Sequence, residues 1–101
     1  MPRSRYLHRH EDGSYVVYGY DFTSRGSAGY FVQVFDFLEN SSVPTLVKSG
    51  DTRKRFCMGS DEHMHRSEIV EILEEEGAPK KHVRQIVLDV PLTSVSEVGA
   101  L

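Results

Sequence analysis

The chain changes its pattern near the middle, and this change limits the folds that it can adopt. Aromatic and β-branched residues fill the first half, whereas the second half has apolar residues at helical spacing. Strands gathered before helices are typical of the α+β class. We therefore expect a small antiparallel β-sheet of three or four strands, followed by two short helices packed on one face.

Three strands and a brief fourth one are predicted in the first half. Residues 6–10 and 15–21 flank the turn sequence EDGS at residues 11–14, and Asp-Gly between two β-forming runs predicts a hairpin. The third strand covers residues 30–39. After a loop that contains proline, a brief strand is expected at residues 45–48.

Two helices are predicted in the second half. The first covers residues 67–76, where Ile69, Ile72 and Leu73 form an apolar stripe. Gly77 follows where a helix commonly ends on a residue with positive φ. The second helix covers residues 79–88.

Length sets the domain organisation, because 101 residues can bury only one core of useful size. Residues 1–92 are therefore predicted to form a single α+β domain. Residues 93–101 lack a periodic pattern and are predicted to be a flexible C-terminal tail.

The two faces of the predicted sheet differ little in polarity. Neither face of the third strand is plainly polar, so we expect helices on one face and a loop, the tail or another protomer on the other. A change of register by one residue would exchange the two faces. The rings that face away from the helices are therefore either Tyr15 and Tyr30 or Phe31 and Phe35.

Charged residues are grouped along the chain. Basic side chains dominate residues 1–10 and 48–55, whereas residues 61–76 are strongly acidic. Such blocks can attract partners, although a charged helix face is also the ordinary way in which a helix meets water. Three acids of the last block are candidate partner-binding residues: Glu71, Glu74 and Glu75.

Cysteine usage and hydropathy indicate the compartment. Cys57 is the only cysteine, which suits a reducing cytosol, and no apolar run approaches the roughly 20 residues of a membrane span. The basic N-terminus is followed by no apolar segment of a signal peptide. We expect a cytoplasmic protein without a membrane partner.

Four histidines form two His-x-His pairs and raise the alternative of a metal site. The pairs are His8 with His10 and His63 with His65, and they would have to converge to supply enough ligands. We prefer an assignment without a metal, in which His65 or Ser60 precedes the first helix and Glu68 bonds back to its opening amides. No cofactor is expected.

A glycine-rich loop after the second strand raises the alternative of an anion site. Its candidate residues are Arg25, Gly26 and Gly29, because glycine lets backbone amides approach an anion and arginine adds charge. The loop lacks the lysine of a P-loop and is not followed by a helix. A hairpin connection is the preferred interpretation.

The two helices also resemble a helix-turn-helix, which raises a nucleic-acid alternative. The second helix carries four side chains suited to DNA: Lys80, Lys81, His82 and Arg84. The glutamates of the first helix and the pI of about 5.9 disfavour this function. An acidic helix that imitates nucleic acid to inhibit a basic protein is a further alternative.

Four segments of the sequence carry a resemblance to a known group. The segments YVVYGYD, GYFVQVFD, SEIVEILEEEGAP and LDVPL resemble those of a group of small bacterial proteins whose activity is uncharacterised. The resemblance covers residues 6–92. It implies one compact bacterial domain, and it implies no activity, cofactor or catalytic residue.

These patterns favour a non-enzymatic protein-binding or regulatory module. It would act through an aromatic sheet face and through its segregated charged surfaces, as a homodimer or with another protein. The alternative is a small enzyme, either metal-dependent through the four histidines or a hydrolase built on Cys57 and a histidine.

Overall fold

The computed structural model describes residues 3–22, 26–53 and 62–95. It confirms an α+β protein with a mostly antiparallel sheet and two helices, and the sheet has five strands where three or four were predicted. The elements are β1 (Ser4–Arg9), β2 (Tyr15–Phe22), β3 (Ala28–Phe37), β4 (Pro44–Asp51), β5 (Glu62–His63), α1 (Arg66–Glu76) and α2 (Lys80–Val87).

The strands lie in the sheet in the same order as in the chain. β1 to β4 pair antiparallel, as expected for strands joined by short connections, and β5 pairs parallel with the end of β4. The predicted hairpin joins β1 to β2. In its turn Gly13 has a φ of 99°, and the Asp12 carboxylate accepts a hydrogen bond from the backbone N–H of Ser14 at 2.9 Å.

The fourth strand is longer than predicted, and β5 was not predicted. β4 pairs with β3 over its whole length, with a bulge opposite Val34 and Phe35. β5 has two residues, and the backbone N–H of Met64 then donates to the carbonyl of Asp51 at 3.2 Å. The side chain of Met64 fills the space where a side chain at position 50 would lie. The pairing of β5 with β4 therefore depends on glycine at this position.

Local sequence signals fix the two helices much as predicted. α1 begins after His65, whose backbone N–H donates to the Glu68 carboxylate at 3.3 Å. It ends at Gly77, where the φ of 78° confirms the expected left-handed conformation. No helix in the described ranges is long and apolar enough to cross a membrane.

Both helices pack on one face of the sheet, which we call the helix face. Ile69 and Leu73 of α1 and Ile86 of α2 are buried there against Tyr18 and Val32. The apolar side of each helix packs here against the side chains that alternate strand positions direct to this face. Burial of these apolar side chains is the main contribution to the stability of the fold.

The register between β2 and β3 assigns each aromatic ring to a face. Tyr20 is opposite Tyr30 and Tyr15 is opposite Phe35, so Tyr30 lies on the helix face whereas Tyr15 shares the other face with Phe31 and Phe35. The grouping of Tyr15 with Tyr30 was therefore wrong. Opposite partners in an antiparallel pair point to the same side, and sequence alternation alone did not supply the pairing.

The segment after α2 folds back on the helix and the sheet. The Tyr30 hydroxyl donates to the carbonyl of Val90, and Leu92 is buried in the core. Thr93 and Ser94 were predicted to begin the tail. Their carbonyls instead accept hydrogen bonds from His82 and Lys81 of α2, each at 2.8 Å. Residues 96–101 of the predicted tail lie outside the described residues.

Candidate functional site

The face of the sheet opposite the helices, which we call the open face, carries the candidate site. The strand registers show which side chains lie on this face. Along three neighbouring strands the side chains on this face are Arg5, Leu7, Arg9, Tyr15, Val17, Phe31, Gln33 and Phe35. None of them belongs to the core cluster that packs against the helices.

Two aromatic groups occupy the open face. Tyr15 and Phe35 stack across the strands, with ring centroids 4.7 Å apart and an interplanar angle of 15°. The Phe31 ring lies over Gly19, where an added Cβ would approach ring carbons to 2.8 Å. Glycine at this position therefore lets the ring lie against the backbone of the neighbouring strand. All three rings are half-buried.

β1 adds cations to the margin of this face. Arg5 and Arg9 are exposed, and Leu7 between them is 52% exposed. The Arg9 guanidinium lies 5.9 Å from the centroid of the Tyr15 ring, which is within the range of a cation–π contact. Neither Arg5 nor Arg9 forms an ion pair with another described residue.

The charges at one end of the open face are already paired. Arg53 lies between Asp51 and Asp21, at N–O distances of 2.6 and 3.5 Å, and Arg3 binds Asp21 at 3.0 Å. The hydrogen bond from the guanidinium to Asp51 raises the pKa of Arg53 above its usual value. Arg5 and Arg9 therefore remain as the free cations of β1 among the described residues.

The ion-pair chain adjoins Gly29, one of the three candidate residues of the anion alternative. An added Cβ on Gly29 would meet the Thr52 hydroxyl and the Arg53 side chain, so the missing side chain makes room for Arg53. The cross-strand partner of Gly29 is Asp21, whose negative charge repels an anion. Gly26 is exposed with a φ of 89°, and Arg25 lies outside the described residues.

The structure separates the two histidine pairs. His10 binds Glu76 at the end of α1, with Nε2 and Oε1 2.9 Å apart, and its ring lies 5.3 Å from that of His8. His63 and His65 lie before the start of α1, with ring centroids 5.6 Å apart. The ends of this helix are about 15 Å apart, so the pairs do not converge.

Other candidate ligands in the described part of the chain add no metal site. Within residues 3–22, 26–53 and 62–95, no three histidine, cysteine, aspartate or glutamate side chains are grouped so that they could hold a metal ion. Cys57, on which the hydrolase alternative depends, lies outside the described residues.

A buried histidine was missed by sequence reasoning. Nε2 of His82 must donate to the carbonyl of Thr93, so Nδ1 accepts the hydrogen bond from the Tyr18 hydroxyl. Burial lowers the pKa of His82, and it raises the pKa of Tyr18 to about 12. The four-residue spacing from His82 to the buried Ile86 is the sequence signal that could have placed it on the inner side of α2.

A cavity of about 400 Å³ lies beside this histidine, on the helix side of β1. Tyr6, His8, Pro79 and His82 are among its lining residues, and the Tyr6 and His82 rings lie 4.2 Å apart. Tyr6 and His8 belong to β1, the first strand in the order of the sheet, so an edge strand forms part of the cavity wall.

The charged side chains of the two helices differ in their contacts. Two of the four side chains suited to DNA form hydrogen bonds within the chain: the exposed Lys81 donates to the carbonyl of Ser94, and the buried His82 donates to that of Thr93. The acids proposed as partner-binding residues are exposed on α1 and form no ion pair with a described residue: Glu71, Glu74 and Glu75.

Comparison with known proteins gives no match to a family model, to a curated protein or to a solved structure. The arrangement of the side chains is therefore the basis for a functional proposal. The structure brings Tyr15, Phe31 and Phe35 together on one surface and places Tyr30, the fourth ring of the prediction, in the core.

Proposed function

We propose that this chain is a non-enzymatic protein-binding module of the cytoplasm that contacts its partner through the open face. The observation that carries the proposal is the group of half-buried rings of Tyr15, Phe31 and Phe35 beside the exposed cations Arg5 and Arg9. Aromatic and arginine side chains are enriched at protein interfaces and in their energetic hot spots.

The hydrogen bonds of His82 and His10 support binding over catalysis. Both ring nitrogens of His82 are engaged in internal hydrogen bonds, and Nε2 of His10 contacts Glu76. An imidazole whose nitrogens are already bonded is poorly placed to transfer a proton to a substrate. The single cysteine of the sequence supports the assignment to a reducing compartment.

The proposal is tested by position-specific photo-crosslinking in cells. A photoreactive phenylalanine analogue replaces Phe35 on the open face, and the matched control carries it at Val87, which is 54% exposed on α2. We expect a discrete protein adduct from position 35 and none from position 87. Equal adducts from both positions, or none from position 35, would contradict the use of this face.

A homodimer through the open face is the second form of the proposal. The stack of Tyr15 on Phe35 favours it, because a twofold axis would bring identical apolar surfaces of two copies together. Sedimentation velocity over a wide range of protein concentrations separates the two forms. A dimer that Phe35→Ser dissociates supports self-association, whereas a monomer at every concentration assigns the face to a different protein.

A further inference from the structure

We propose that β1 accepts an added strand from a partner protein, and that this strand is acidic at alternate positions. The inference rests on the proposed function and names the chemistry of the partner. It concerns the margin of the open face, where Arg5, Leu7 and Arg9 follow one another along β1.

The first observation is the position of β1 at the edge of the sheet. β1 is the first strand in the order of the sheet, and within the described residues only β2 pairs with it. Such an edge leaves backbone N–H and C=O groups without strand partners, and extended segments of other proteins bind edges of this kind through main-chain hydrogen bonds.

The second observation is the alternation of side chains on the open face of β1. Arg5 and Arg9 are exposed cations, and the exposed Leu7 lies between them. Side chains directly opposite each other on paired strands interact, and opposite charges stabilise the pair. A complementary strand therefore has an acid, an apolar residue and a second acid at alternate positions.

The third observation is the cavity on the other side of the same strand. Tyr6 and His8 alternate with the residues of the open face and line this cavity of about 400 Å³. In an added strand, the residues between the acids and the apolar position would point to this side. Pockets for alternate side chains are the usual source of specificity in strand addition, and an aromatic residue suits the Tyr6 ring.

Charge decides between an acidic segment and a second copy of the chain. If two copies of β1 paired antiparallel about Leu7, Arg5 of each would lie opposite Arg9 of the other. Like charges directly opposite are destabilising. A single-stranded nucleic acid would meet the cations, but its sugar-phosphate chain cannot continue the hydrogen-bond ladder of the sheet.

The test uses the full chain and a fluorescent peptide with the core Glu-Tyr-Val-Tyr-Glu, and it measures binding by anisotropy. We expect saturable binding that is absent with the Lys-Tyr-Val-Tyr-Lys peptide. The double variant Arg5→Glu/Arg9→Glu should weaken binding about tenfold or more, since two attractive pairs become repulsive. Arg84→Glu, which changes an exposed cation of α2, should leave binding unchanged.

Two further arms test the strand pairing and the alternative occupants. Two peptides carry N-methyl groups on the odd or on the even amides. If the peptide joins the ladder, one of the two should lose binding, because only alternate amides of a strand donate to a given neighbour. Unchanged binding of both peptides would overturn the inference. Competition by a single-stranded oligothymidylate as strong as that of the acidic peptide would assign the edge to nucleic acid. A dimer in sedimentation that Arg5→Glu strengthens would assign it to a second copy.

The two proposals can fail separately. If the acidic peptide does not bind while photo-crosslinking from position 35 gives a discrete adduct, the strand-addition inference is wrong and the open face remains the partner site. If position 35 gives no adduct, the proposed function fails whatever the peptide does. Arg5 and Arg9 make no ion pair with a described residue, so the charge-reversed variant should keep its circular dichroism spectrum.

Discussion

The Tyr18 hydroxyl donates a hydrogen bond to Nδ1 of His82, and this bond joins the second strand to the second helix inside the core. Nε2 of the same ring donates to the carbonyl of Thr93 and so holds the segment that follows α2. One imidazole therefore connects three parts of the chain. The bond between Tyr18 and His82 is buried, so loss of the hydroxyl would leave Nδ1 without a donor.

Tyr18→Phe tests how much this bond contributes. The variant keeps the ring but leaves Nδ1 of His82 buried without its donor, so we expect the free energy of unfolding to fall by about 1–3 kcal/mol. Urea denaturation at neutral pH measures the change. Tyr15→Phe is the matched control, since its half-buried ring lies on the open face, and it should alter stability by less than about 0.5 kcal/mol. Equal losses in the two variants would refute a specific role for the Tyr18 hydroxyl.

The same histidine makes stability depend on pH. Burial lowers the pKa of His82 below its usual value of 6.5, and Lys81 adds to this effect, while the hydrogen bond to Thr93 opposes it. Below pH 6.5 the imidazole of the unfolded chain binds a proton, whereas the buried imidazole of the folded chain stays neutral until the pH reaches its lower pKa. The contribution of neutral His82 to the free energy of unfolding is therefore fully present above pH 6.5 and is lost as the pH falls towards the folded-state pKa.

His82→Gln isolates this contribution from those of the other titrating groups. The difference in unfolding free energy between the natural chain and the variant should narrow as the pH falls below 6.5, because only the natural chain has the buried imidazole. Denaturant titrations at a series of pH values measure it. A difference that stays constant over this range would show that His82 is protonated equally in both states.

Elements encoded by neighbouring residues were predicted well. The apolar stripe of Ile69, Ile72 and Leu73 and the glycine after it describe α1 almost to the residue, because a helix is built from contacts three and four positions apart. The hairpin turn at Asp12 and Gly13 is equally local.

Features that depend on distant residues were missed. Each of β2 and β3 has apolar residues on both of its faces, so alternation could not show whether Tyr15 or Tyr30 faces the helices. The register between the two strands places Tyr30 on the helix face and Tyr15 on the open face. The parallel pairing of β5 depends on how Met64 fits beside Gly50, far away in the chain. His82 was grouped with the side chains suited to DNA, because its partners, Tyr18 and Thr93, contact it only in the folded protein.

Gly77 gives a test of the helix end. Its φ of 78° is unfavourable for a residue with a Cβ, and an added Cβ would lie 3.6 Å from Nε2 of His8, which is an ordinary contact. The loss in Gly77→Ala should therefore be conformational, about 1 kcal/mol in unfolding free energy. Gly77→Asn should cost less, since asparagine tolerates this conformation. Thermal unfolding that ranks the alanine variant at or above the asparagine variant would contradict this account.

The ion pair of Arg53 with Asp51 is far more buried than the pair of Arg3 with Asp21 at the same end of the open face. The Asp51 side chain is 4% exposed and that of Arg53 17%, whereas Arg3, which binds Asp21, is 64% exposed. The carboxylate of Asp51 accepts from Nε of Arg53 at 3.0 Å and from an Nη atom at 2.6 Å. Its other hydrogen bond comes from the backbone N–H of Arg53 at 2.8 Å.

Arg53→Met should therefore be much more destabilising than Arg3→Met. The first change leaves a buried carboxylate without its cation and should cost about 3 kcal/mol, while the second removes an exposed pair worth less than about 1 kcal/mol. Because the penalty comes from the uncompensated charge of Asp51, the double variant Asp51→Asn/Arg53→Met should recover part of the loss. Urea denaturation of the four chains measures these differences. A double variant that is no more stable than Arg53→Met would show that packing of the arginine stem, and not its charge, stabilises this end of the sheet.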